Sequence, residues 1–531
     1  MSTSLLAVEA NPPFSASAVT RVVKTLLAPN KTETRRNWLA AVARRTISAR
    51  PDLAEALGHV LGVEMGPSDV LAGLTIGEIG VCYEALLASL DRGHRRDAGQ
   101  YFTPDDASQF MARHATSFPT GRWLDPCCGV GNLSWHLASV QESPAEFVRD
   151  QLILLDRDET ALRTAVALIA ADFAAEGEGE AVGALHSRSA RRDFLSSRAL
   201  PKFDFAILNP PYARAPGKAG YRTSGTRDLF AYFLERIVHS SRGFIAVTPA
   251  SYLSIPKFQS LREVIEEGAT GGDVYVFDNV PDTLFRGYKF GSNNTSKTNF
   301  VRAAITVSAP QMREWRVTPI LRWNTASREE MFSRCHEFLA PRRLGPHGEW
   351  AKLAPGLEEF WDSIISTPRA LADLVVEHET PFPLTVATTP RYYISATYRP
   401  LDRRSKSVLY FRSDDDRRHA AIVLNSSLPY LWWRILDGGV SLPRRVLMSV
   451  PIPELPAEAE PYAQRLQESE ARNVVTKLNA GRHNENVKHP QDLVDELNAL
   501  VIPAAAGRLH LVYSQNMFEA AEAGALAAPA L

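Results

Sequence analysis

The chain has 531 residues, which is enough for roughly two to four domains, and its 45% hydrophobic and 22% charged content is that of an ordinary globular protein. Its 59 Lys and Arg residues nearly balance its 60 Asp and Glu residues, so no overall basic field points to nucleic acid, and any such surface must be local. The four cysteines form no CxxC pair, which argues against a zinc site or a disulfide framework and fits a reducing cytoplasm. We find neither a signal segment nor an apolar run of transmembrane length, so no membrane partner is expected.

Four segments follow one another along the chain. Residues 1–95 carry Val, Leu and Ile at helical spacing, which predicts an N-terminal helical region. In residues 96–310, short apolar runs alternate with longer helical patterns, as they do in βαβ units. Residues 311–515 are punctuated by proline and rich in Arg and aromatic residues, which indicates a separate mixed α/β domain. The Ala-rich stretch 516–531 is predicted to be a flexible tail.

The second of these segments is predicted to be an α/β domain built on a doubly wound sheet. Its apolar runs indicate strands at 122–124, 152–155, 205–208, 244–247, 274–277 and 300–306. The amphipathic patterns between them include helices at 159–172 and 228–239. Ligands of such sheets bind beyond the carboxyl ends of the strands, so the residues that follow each run are candidate site residues.

A Gly-Gln-Tyr-Phe-Thr-Pro segment, residues 99–104, precedes the first of these strands. A helical pattern follows it, so Thr103 and Pro104 stand where a helix begins. An extended segment in that position can present hydroxyl and backbone groups to a carboxylate ligand. Taken alone, the segment could equally be a simple helix cap.

The first predicted strand leads into Asp125-Pro-Cys-Cys-Gly129-Val-Gly131-Asn132. Glycines at a strand-to-helix turn allow tight bending and a close approach of a ligand to the backbone. The turn is not the G-x-G-x-x-G dinucleotide fingerprint, and it lacks the Lys-Ser/Thr pair of a phosphate loop. Gly-x-Gly alone is therefore a weak signal, which the carboxylates that follow strengthen.

Carboxylates follow the next two strands. Asp156 ends the second strand, where an acidic residue can accept hydrogen bonds from both hydroxyls of a ribose. Asp193 follows a short third strand, where it could receive an adenine amino group while Phe194 packs on the ring. Either aspartate alone could be a helix N-cap, but their ordered series favours a cofactor that contains adenosine.

The tetrapeptide Asn209-Pro210-Pro211-Tyr212 directly follows the apolar run 205–208. Consecutive prolines fix φ and donate no N–H, which predicts a rigid loop with outward-facing carbonyls. The Asn side chain supplies an acceptor and the Tyr ring a stacking surface. The tetrapeptide therefore suits a flat ring that carries an amino group, although an ordinary Pro-rich turn is the alternative for these four residues alone.

Together these segments resemble the gamma class of S-adenosylmethionine-dependent, adenine-N6 DNA methyltransferases of restriction–modification systems. The resemblance covers residues 75–307 and rests on the order Tyr-Phe-Thr-Pro, Asp-Pro-x-Cys-Gly-x-Gly, Asn-Pro-Pro-Tyr. It implies a class I methyltransferase fold, which is a Rossmann-like doubly wound sheet, with S-adenosylmethionine as cofactor. Cys127 and Val130 replace the small residues usual at those places, and Asp156 stands where Glu is common, which affects only fine cofactor contacts.

The resemblance also implies a role for each site residue. The implied cofactor-binding residues, from the methionine end to the adenine, are Tyr101, Thr103, Asp125, Gly129, Gly131, Asp156, Asp193 and Phe194. The implied catalytic residues are Asn209, Pro210, Pro211 and Tyr212. Tyr212 and a second aromatic residue would stack on the target base, and Phe285 is the candidate for the second, although it could equally be a core residue.

Methyl transfer from a sulfonium is an in-line displacement, so positioning and electrostatics matter most, and neither a metal nor a tuned general base is expected. Two acceptors on the adenine amino group, the Asn209 oxygen and the Pro210 carbonyl, would pull its nitrogen toward tetrahedral geometry. An adenine in a duplex must first be flipped out, at a cost of roughly a few kcal/mol that stacking on Tyr212 would offset. The basic loop 213–227 suits phosphate contact, although a merely solvated loop is an equal alternative.

The third segment interleaves Arg and aromatic residues between positions 391 and 418, which fits DNA contact. For any single residue there, a solvated face or a core position is the better explanation. The stretches 423–433 and 451–453 resemble target-recognition domains, in which they are mostly scaffold, so Trp432 and Trp433 are expected in the core. The stretch 457–500 is predicted to form a terminal helical bundle.

The sequence therefore predicts a site-specific DNA adenine-N6 methyltransferase of a restriction–modification system, located at the nucleoid of a bacterial cytoplasm. Its expected partners are double-stranded DNA and a separately encoded restriction endonuclease, because the chain lacks the Asp/Glu-x-Lys tripeptide of the common metal-dependent nuclease core. The alternatives are a bifunctional restriction–methylation enzyme, an RNA or protein-glutamine methyltransferase, and a non-catalytic DNA-binding subunit. The large second domain favours DNA, and the intact tetrapeptide disfavours a pure binder.

Overall fold

A computed structural model describes residues 16–90, 103–196, 198–285, 289–290, 293–294, 302–390, 392–479 and 482–527. The chain forms two compact units. The first comprises Met1–Tyr252, Lys257–Arg316 and Leu321–Pro341, and the second comprises Leu253–Pro256, Val317–Ile320 and Arg342–Leu531. No helix in the described ranges is long and apolar enough to cross a membrane.

Eight strands of a nine-stranded mixed sheet lie entirely in the first unit, and they form its core. The strands up to residue 341 are β1 (Trp123–Asp125), β2 (Leu152–Asp156), β3 (Ala190–Arg191), β4 (Phe205–Leu208), β5 (Gly243–Pro249), β6 (Gly272–Phe277), β7 (Lys289–Phe290), β8 (Asn293–Asn294), β9 (Ala303–Ser308), β10 (Trp315–Leu321) and β11 (Ala340–Pro341). The sheet has the order β11-β10-β6-β9-β5-β4-β1-β2-β3, while β7 and β8 pair only with each other.

Strands β3, β2, β1, β4 and β5 run parallel to one another, whereas β9 is antiparallel to both β5 and β6. The carboxyl ends of β1, β2 and β4 therefore meet at one edge of the sheet. Every residue of these three strands is buried, as expected when helices cover both faces of a parallel sheet. The prediction of a class I methyltransferase fold with a Rossmann-like doubly wound sheet is confirmed.

Helices account for most of the rest of the first unit. The α-helices are Ala16–Leu26, Lys31–Ala49, Ala54–Leu61, Ile76–Leu90, Asp105–His114, Asn132–Ser139, Glu159–Phe173, Gly179–Arg188, Leu229–Ser240, Gln259–Gly268 and Arg328–Arg334, with a short helix at Pro144–Glu146. The predicted strands and helices begin within three residues of the observed ones where both are described. The last predicted strand, 300–306, is observed as β9, and residues 300 and 301 lie outside the described residues.

The N-terminal helices pack against the helix that follows β2. The indole Nε1 of buried Trp38 donates a hydrogen bond of 2.9 Å to Thr164 Oγ1. Arg50 donates to the carbonyls of Ala171 and Ala174, in the last turn and at the end of that helix, at 3.0 and 2.9 Å. These bonds satisfy carbonyls that the helix itself leaves without partners. The N-terminal region is thus attached to the element that positions the carboxyl end of β2.

The second unit contains a four-stranded sheet and several helices. Its sheet has the order β12-β15-β13-β14, from β12 (Val375–Val376), β13 (Pro383–Ala387), β14 (Ala396–Thr397) and β15 (Lys406–Phe411). Its α-helices are Glu358–Ile364, Asp414–Asn425, Leu428–Leu436, Arg444–Met448, Glu460–Arg472, Gln491–Val501, His510–Tyr513 and Met517–Ala527. Trp432 and Trp433 are buried, as predicted, and Trp432 stacks on Trp361 with ring centroids 5.1 Å apart.

The prediction of an all-helical bundle at 457–500 is wrong in its middle part. An antiparallel hairpin, β16 (Val474–Asn479) and β17 (Arg482–Val487), separates the helices Glu460–Arg472 and Gln491–Val501. The β-branched run that opens β16 favours a strand over a helix. That run is only three residues long, so the helical patterns on either side masked it.

Candidate active site

A cavity of about 490 Å³ lies in the first unit at the carboxyl ends of β1, β2 and β4, where open α/β sheets bind their ligands. Its volume is within the usual range for small-molecule sites. Of the predicted site residues, it is lined by Thr103, Asp125, Gly129, Asp156, Asp193, Phe194, Asn209 and Pro211. Gly131, Pro210, Tyr212 and Phe285 lie outside its lining, and Tyr101 lies outside the described residues.

The two glycines of the turn after β1 do different things. Both have positive φ, 55° at Gly129 and 96° at Gly131, which side chains other than glycine rarely adopt. A Cβ at Gly129 would meet no atom within 4 Å, so this backbone faces open space in the cavity. A Cβ at Gly131 would lie 2.9 Å from that of Ala165. Gly131 therefore lets the turn pack closely against the helix Glu159–Phe173.

Asp125, the last residue of β1, is a buried carboxylate. Its two oxygens accept hydrogen bonds from Ser134 Oγ at 2.8 Å and from the backbone N–H of Cys127 at 3.2 Å. Burial raises the pKa of the Asp125 carboxyl to about 7, and these two hydrogen bonds oppose the rise. A cation bound in the cavity would favour the ionised carboxylate, so the residue is suited to respond to a positively charged ligand.

Asp156, the last residue of β2, is held by two backbone N–H groups. The Asp158 N–H donates to one carboxylate oxygen at 2.7 Å, and the Gly129 N–H donates to the other at 2.8 Å. Burial raises the pKa of Asp156. Each oxygen keeps a further lone pair, so the carboxylate can still accept two hydrogen bonds from a ligand.

Asp158 is in turn held by two N-terminal helices. Arg35 Nη2 donates to Asp158 Oδ2 at 2.7 Å, and the Tyr83 hydroxyl donates to the same oxygen at 3.0 Å. The other oxygen of Asp158 caps the following helix by accepting the Thr160 N–H at 3.0 Å. Arg35 and Tyr83 thereby fix the backbone N–H through which Asp158 orients Asp156.

The helix Ile76–Leu90 supplies a wall of the cavity that sequence reasoning did not find. Gly80, Tyr83, Glu84 and Leu87 line it. These four residues have the spacing i, i+3, i+4, i+7, so they share one face of the helix. A glutamate within an otherwise apolar stripe is the signal in the sequence that could have marked this face as a site.

Asp193 and Phe194 follow β3 at the rim and in the wall of the cavity. Asp193 is exposed, and one of its carboxylate oxygens accepts the Leu195 N–H at 2.9 Å. Phe194 is buried against Phe233, with ring centroids 4.9 Å apart, and the Arg236 guanidinium lies 5.2 Å from its ring. Phe194 is therefore a fixed apolar surface, while Asp193 presents a solvated acceptor.

Three segments meet at the Asn-Pro-Pro-Tyr loop after β4. Asn209 Nδ2 donates to Thr103 Oγ1 at 2.9 Å, which joins the loop to the Thr-Pro segment. Cys127 Sγ lies 3.3 Å from the Asn209 carbonyl oxygen, which joins it to the glycine turn. The Tyr212 hydroxyl donates to the Val247 carbonyl on β5 at 3.0 Å. Because the amide nitrogen of Asn209 faces Thr103, its carboxamide oxygen is the group that can accept from a substrate.

The rings of Tyr212 and Phe285 meet edge to face. Their centroids are 6.0 Å apart with an interplanar angle of 72°. Phe285 is only 2% exposed. The two rings are neighbours, but in this arrangement they do not bracket a planar base as two parallel surfaces.

The basic side chains of the loop 213–227 are not equally available. Arg222 is ion-paired with Glu267 and with Glu263. Lys218 lines the cavity and lies 5.7 Å from the Tyr221 ring, while Arg214 is exposed. Of these residues, Lys218 and Arg214 are the better candidates for contact with a ligand or a phosphate.

Several arginines of the second unit are paired with side chains of the same unit. Arg399 pairs with Glu485 at 3.1 Å, Arg403 donates to the Asn486 side chain at 3.2 Å, and Arg417 lies 5.0 Å from the Tyr398 ring. Arg404 and Arg412 are exposed, and Arg391 lies outside the described residues. In the part of the chain that the structure describes, no group of three or more His, Cys, Asp and Glu side chains is arranged to hold a metal ion.

Comparison with known proteins finds a family match for the segment that carries the glycine turn, the carboxylates and the Asn-Pro-Pro-Tyr loop. Residues 75–228 match the family model described as N-6 DNA Methylase. Among curated proteins, the chain is 22% identical over 235 residues to the type II methyltransferase M.PstI of Providencia stuartii, which covers 41% of this chain. The chain spans less than half of that relative, 45% of its length.

Solved structures give more distant similarities. The methyltransferase subunit of a type I restriction-modification system from Streptococcus thermophilus is 14% identical, with a TM-score of 0.33 over 63% of this chain and 76% of that one. A DrdV–DNA complex is 11% identical, with a TM-score of 0.43 over 70% of this chain and 47% of that one. The family match at residues 75–228 confirms the predicted resemblance of this segment to the N6-adenine DNA methyltransferases.

Proposed function

We propose that this chain is a site-specific DNA methyltransferase that transfers a methyl group from S-adenosylmethionine to the N6 amino group of adenine, within a restriction–modification system. One observation carries the proposal. The Asn-Pro-Pro-Tyr loop borders the same cavity as the carboxylates at the ends of β1 and β2, and the Asn209 amide is oriented there by Thr103. A base-binding group and a nucleotide-binding set thus share one site.

The residues that line the cavity fit S-adenosylmethionine, which supplies a methyl group on a sulfonium sulfur. Asp156 would accept both ribose hydroxyls, because each of its oxygens keeps a lone pair beyond its bond to a backbone N–H. Asp193 and the buried Phe194 ring would hold the adenine. Thr103 and Asp125 would contact the methionine end and its positive charge. The open space above Gly129 leaves room for the cofactor against the backbone.

The catalytic residues act by holding the target amino group. The carboxamide oxygen of Asn209 and the carbonyl of Pro210 would accept its two hydrogens, which localises the lone pair on the nitrogen. Tyr212 would stack on the base, a contact of about 1–3 kcal/mol. Its hydroxyl is bonded to the Val247 carbonyl, so the ring is fixed before the base arrives.

The comparisons support DNA as the substrate. The matching family model is described as N-6 DNA Methylase, and the curated relative is a type II methyltransferase, which favours DNA over RNA or a protein glutamine. A non-catalytic role fits poorly with a loop whose Asn amide is already oriented by Thr103. Because this sequence lacks the Asp/Glu-x-Lys tripeptide, we assign any cleavage to a separately encoded endonuclease. Action on double-stranded DNA would place the protein at the nucleoid of the cytoplasm.

Labelled methyl transfer tests the proposed function. The purified chain is incubated with S-adenosylmethionine that carries a tritiated methyl group, in parallel with plasmid DNA, with total RNA and with protein. We expect label in DNA only, and digestion of that DNA to nucleosides should recover the label as N6-methyl-2′-deoxyadenosine. Label in RNA or protein, or in another base of DNA, would replace the proposed substrate.

Tyr83→Phe tests the support of the cofactor site by the N-terminal helices. The variant removes one hydrogen bond to Asp158, so we expect the dissociation constant for S-adenosylmethionine to rise about 3–10-fold, equivalent to roughly 1 kcal/mol. Calorimetric titration measures it. Tyr252→Phe is the matched control, since it also removes a buried tyrosine hydroxyl. That hydroxyl lies 2.7 Å from Thr306 Oγ1, and Tyr252 does not line the cavity. Equal affinities of the two variants would contradict a role of Tyr83 in the site.

A further inference from the structure

Arg328 is a buried charge outside the segment that matches the family model. It begins the helix Arg328–Arg334 and is 2% exposed. Burying an arginine is costly unless its donors are well paired. Its partners therefore indicate what the residue does.

The guanidinium of Arg328 joins two segments that are distant in the sequence. Its Nε and Nη2 donate to the two carboxylate oxygens of Asp106, a bidentate pair in which Nη2 lies 3.0 Å from Oδ1. Its Nη1 donates to the Thr283 carbonyl and its Nη2 to the Leu284 carbonyl, each at 2.8 Å. All of these are charge-assisted hydrogen bonds, which are shorter and stronger than neutral ones.

We call the contacts of Arg328 with Asp106 and with the Thr283 and Leu284 carbonyls the clamp. Both ends of the clamp lie next to the site. Asp106 is in the first turn of the helix Asp105–His114, three residues after Thr103. Leu284 immediately precedes Phe285, whose ring packs edge to face with that of Tyr212, with the ring centroids 6.0 Å apart. Two main-chain carbonyls held by one rigid guanidinium fix the path of the backbone that leads into Phe285.

We propose that Arg328 is a positioning residue for the target base: it sets the place of Phe285 relative to Tyr212 by tying the Thr283–Leu284 backbone to Asp106. The inference rests on the proposed function, in which Tyr212 stacks on the target base, and it adds Phe285 as the neighbouring ring that bounds the space for that base. Arg328 does not touch the reacting atoms. It acts through the backbone before Phe285.

The clamp should affect the base more than the cofactor. Thr103 has anchors of its own, since its hydroxyl accepts from Asn209 and its carbonyl accepts from Asn132 Nδ2 at 2.7 Å. Weakening the bond between Arg328 and Asp106 therefore leaves the cofactor side of the site supported. The two carbonyls before Phe285 lose direct bonds to the guanidinium.

Arg328→Lys tests the inference, because lysine keeps the charge but not the planar fork that reaches four oxygens. The probe is a duplex that carries the methylation site of the wild-type protein, with 2-aminopurine in place of the target adenine. We expect the variant to bind S-adenosylmethionine within about threefold of the wild type, while kcat falls about 10–100-fold and the 2-aminopurine fluorescence change on binding is reduced.

Arg316→Lys is the matched control, since Arg316 forms a bidentate pair with Asp273 at 2.8 and 2.7 Å elsewhere in the first unit. Wild-type kcat and fluorescence in Arg328→Lys would overturn the inference. So would a parallel loss of cofactor and base binding together with a lowered melting temperature. If Arg328→Lys does not fold, Asp106→Asn weakens the same contact to Arg328. Normal base binding by Asp106→Asn would then contradict the inference. Failure of the wild-type protein to methylate DNA would instead refute the proposed function.

Discussion

Asn209→Ala is expected to lower kcat for DNA methylation by roughly 10²–10³-fold, the usual cost of losing one preorganised hydrogen-bonding group at a reacting centre. In the proposed mechanism the Asn209 carboxamide oxygen accepts from the target amino group and so raises the electron density on its nitrogen, while Asn209 Nδ2 donates to Thr103 Oγ1 at 2.9 Å. Alanine supplies neither atom. Single-turnover methyl transfer to plasmid DNA measures the effect without a contribution from product release.

Two controls separate chemistry from folding in this variant. Titration with S-adenosylmethionine should give a dissociation constant within about threefold of the wild-type value, because the proposed ribose and adenine contacts do not involve Asn209. Asn209→Asp keeps an oxygen acceptor and should lose less activity than Asn209→Ala. Undiminished transfer by the alanine variant would remove Asn209 from the mechanism.

The second large effect concerns Asp125, whose burial raises the pKa of its carboxyl from the ordinary value of 3.8 to about 7. Between pH 4 and pH 7 the folded protein holds a proton that the unfolded chain releases, so this residue makes the protein less stable as the pH rises through that window. Above pH 7 the penalty is complete. A shift of about three units corresponds to an upper bound of roughly 4 kcal/mol.

Asp125→Asn should remove this dependence, since the amide is neutral at every pH and can still bond to Ser134 and to the Cys127 N–H. We expect the variant, without cofactor, to be more stable than the wild type at pH 8 by about 1–4 kcal/mol and to lose that advantage near pH 4. Urea unfolding of both proteins across this range measures the difference. Parallel pH profiles for the two proteins would contradict an ionised, buried Asp125.

The Asp125→Asn substitution should also weaken the binding of the cofactor. In the proposed site, removing the carboxylate would leave the positively charged methionine end without this partner, and hydrogen bonds to charged groups contribute about 1.5–3 kcal/mol. We therefore expect the dissociation constant for S-adenosylmethionine at pH 8 to rise at least about tenfold. A stabilised protein that binds its cofactor poorly would show that Asp125 is retained for function at the expense of stability.

The central sheet could be predicted because its signals are local. The run 205–208 is apolar throughout since helices cover both faces of β4, and the polar residues that follow it stand where the strand ends. The glycine turn and Asp156 were found in the same way. The cavity brings them together as expected, because the carboxyl ends of β1, β2 and β4 share one edge of the sheet.

Other features depend on contacts between distant residues. Helical periodicity in residues 1–95 predicts packed helices but does not reveal what a helix face packs against. The cavity wall of Gly80, Tyr83, Glu84 and Leu87 was therefore not predicted. The clamp on the backbone before Phe285 joins Arg328 to Asp106 across 222 positions of the chain, and no local pattern records it. The hairpin of β16 and β17 escaped prediction because its short β-branched run lies between two strongly helical stretches.

Sequencing that detects modified bases tests the central claim most directly. DNA is compared from cells that express the chain and from cells that express Asn209→Ala, in a host without adenine methylation of its own. The proposed function predicts N6-methyladenine at the same position of one short sequence throughout the genome of the first cells, and its loss in the second. Unmodified DNA in cells that contain the folded wild-type protein, or equal modification in both, would contradict it.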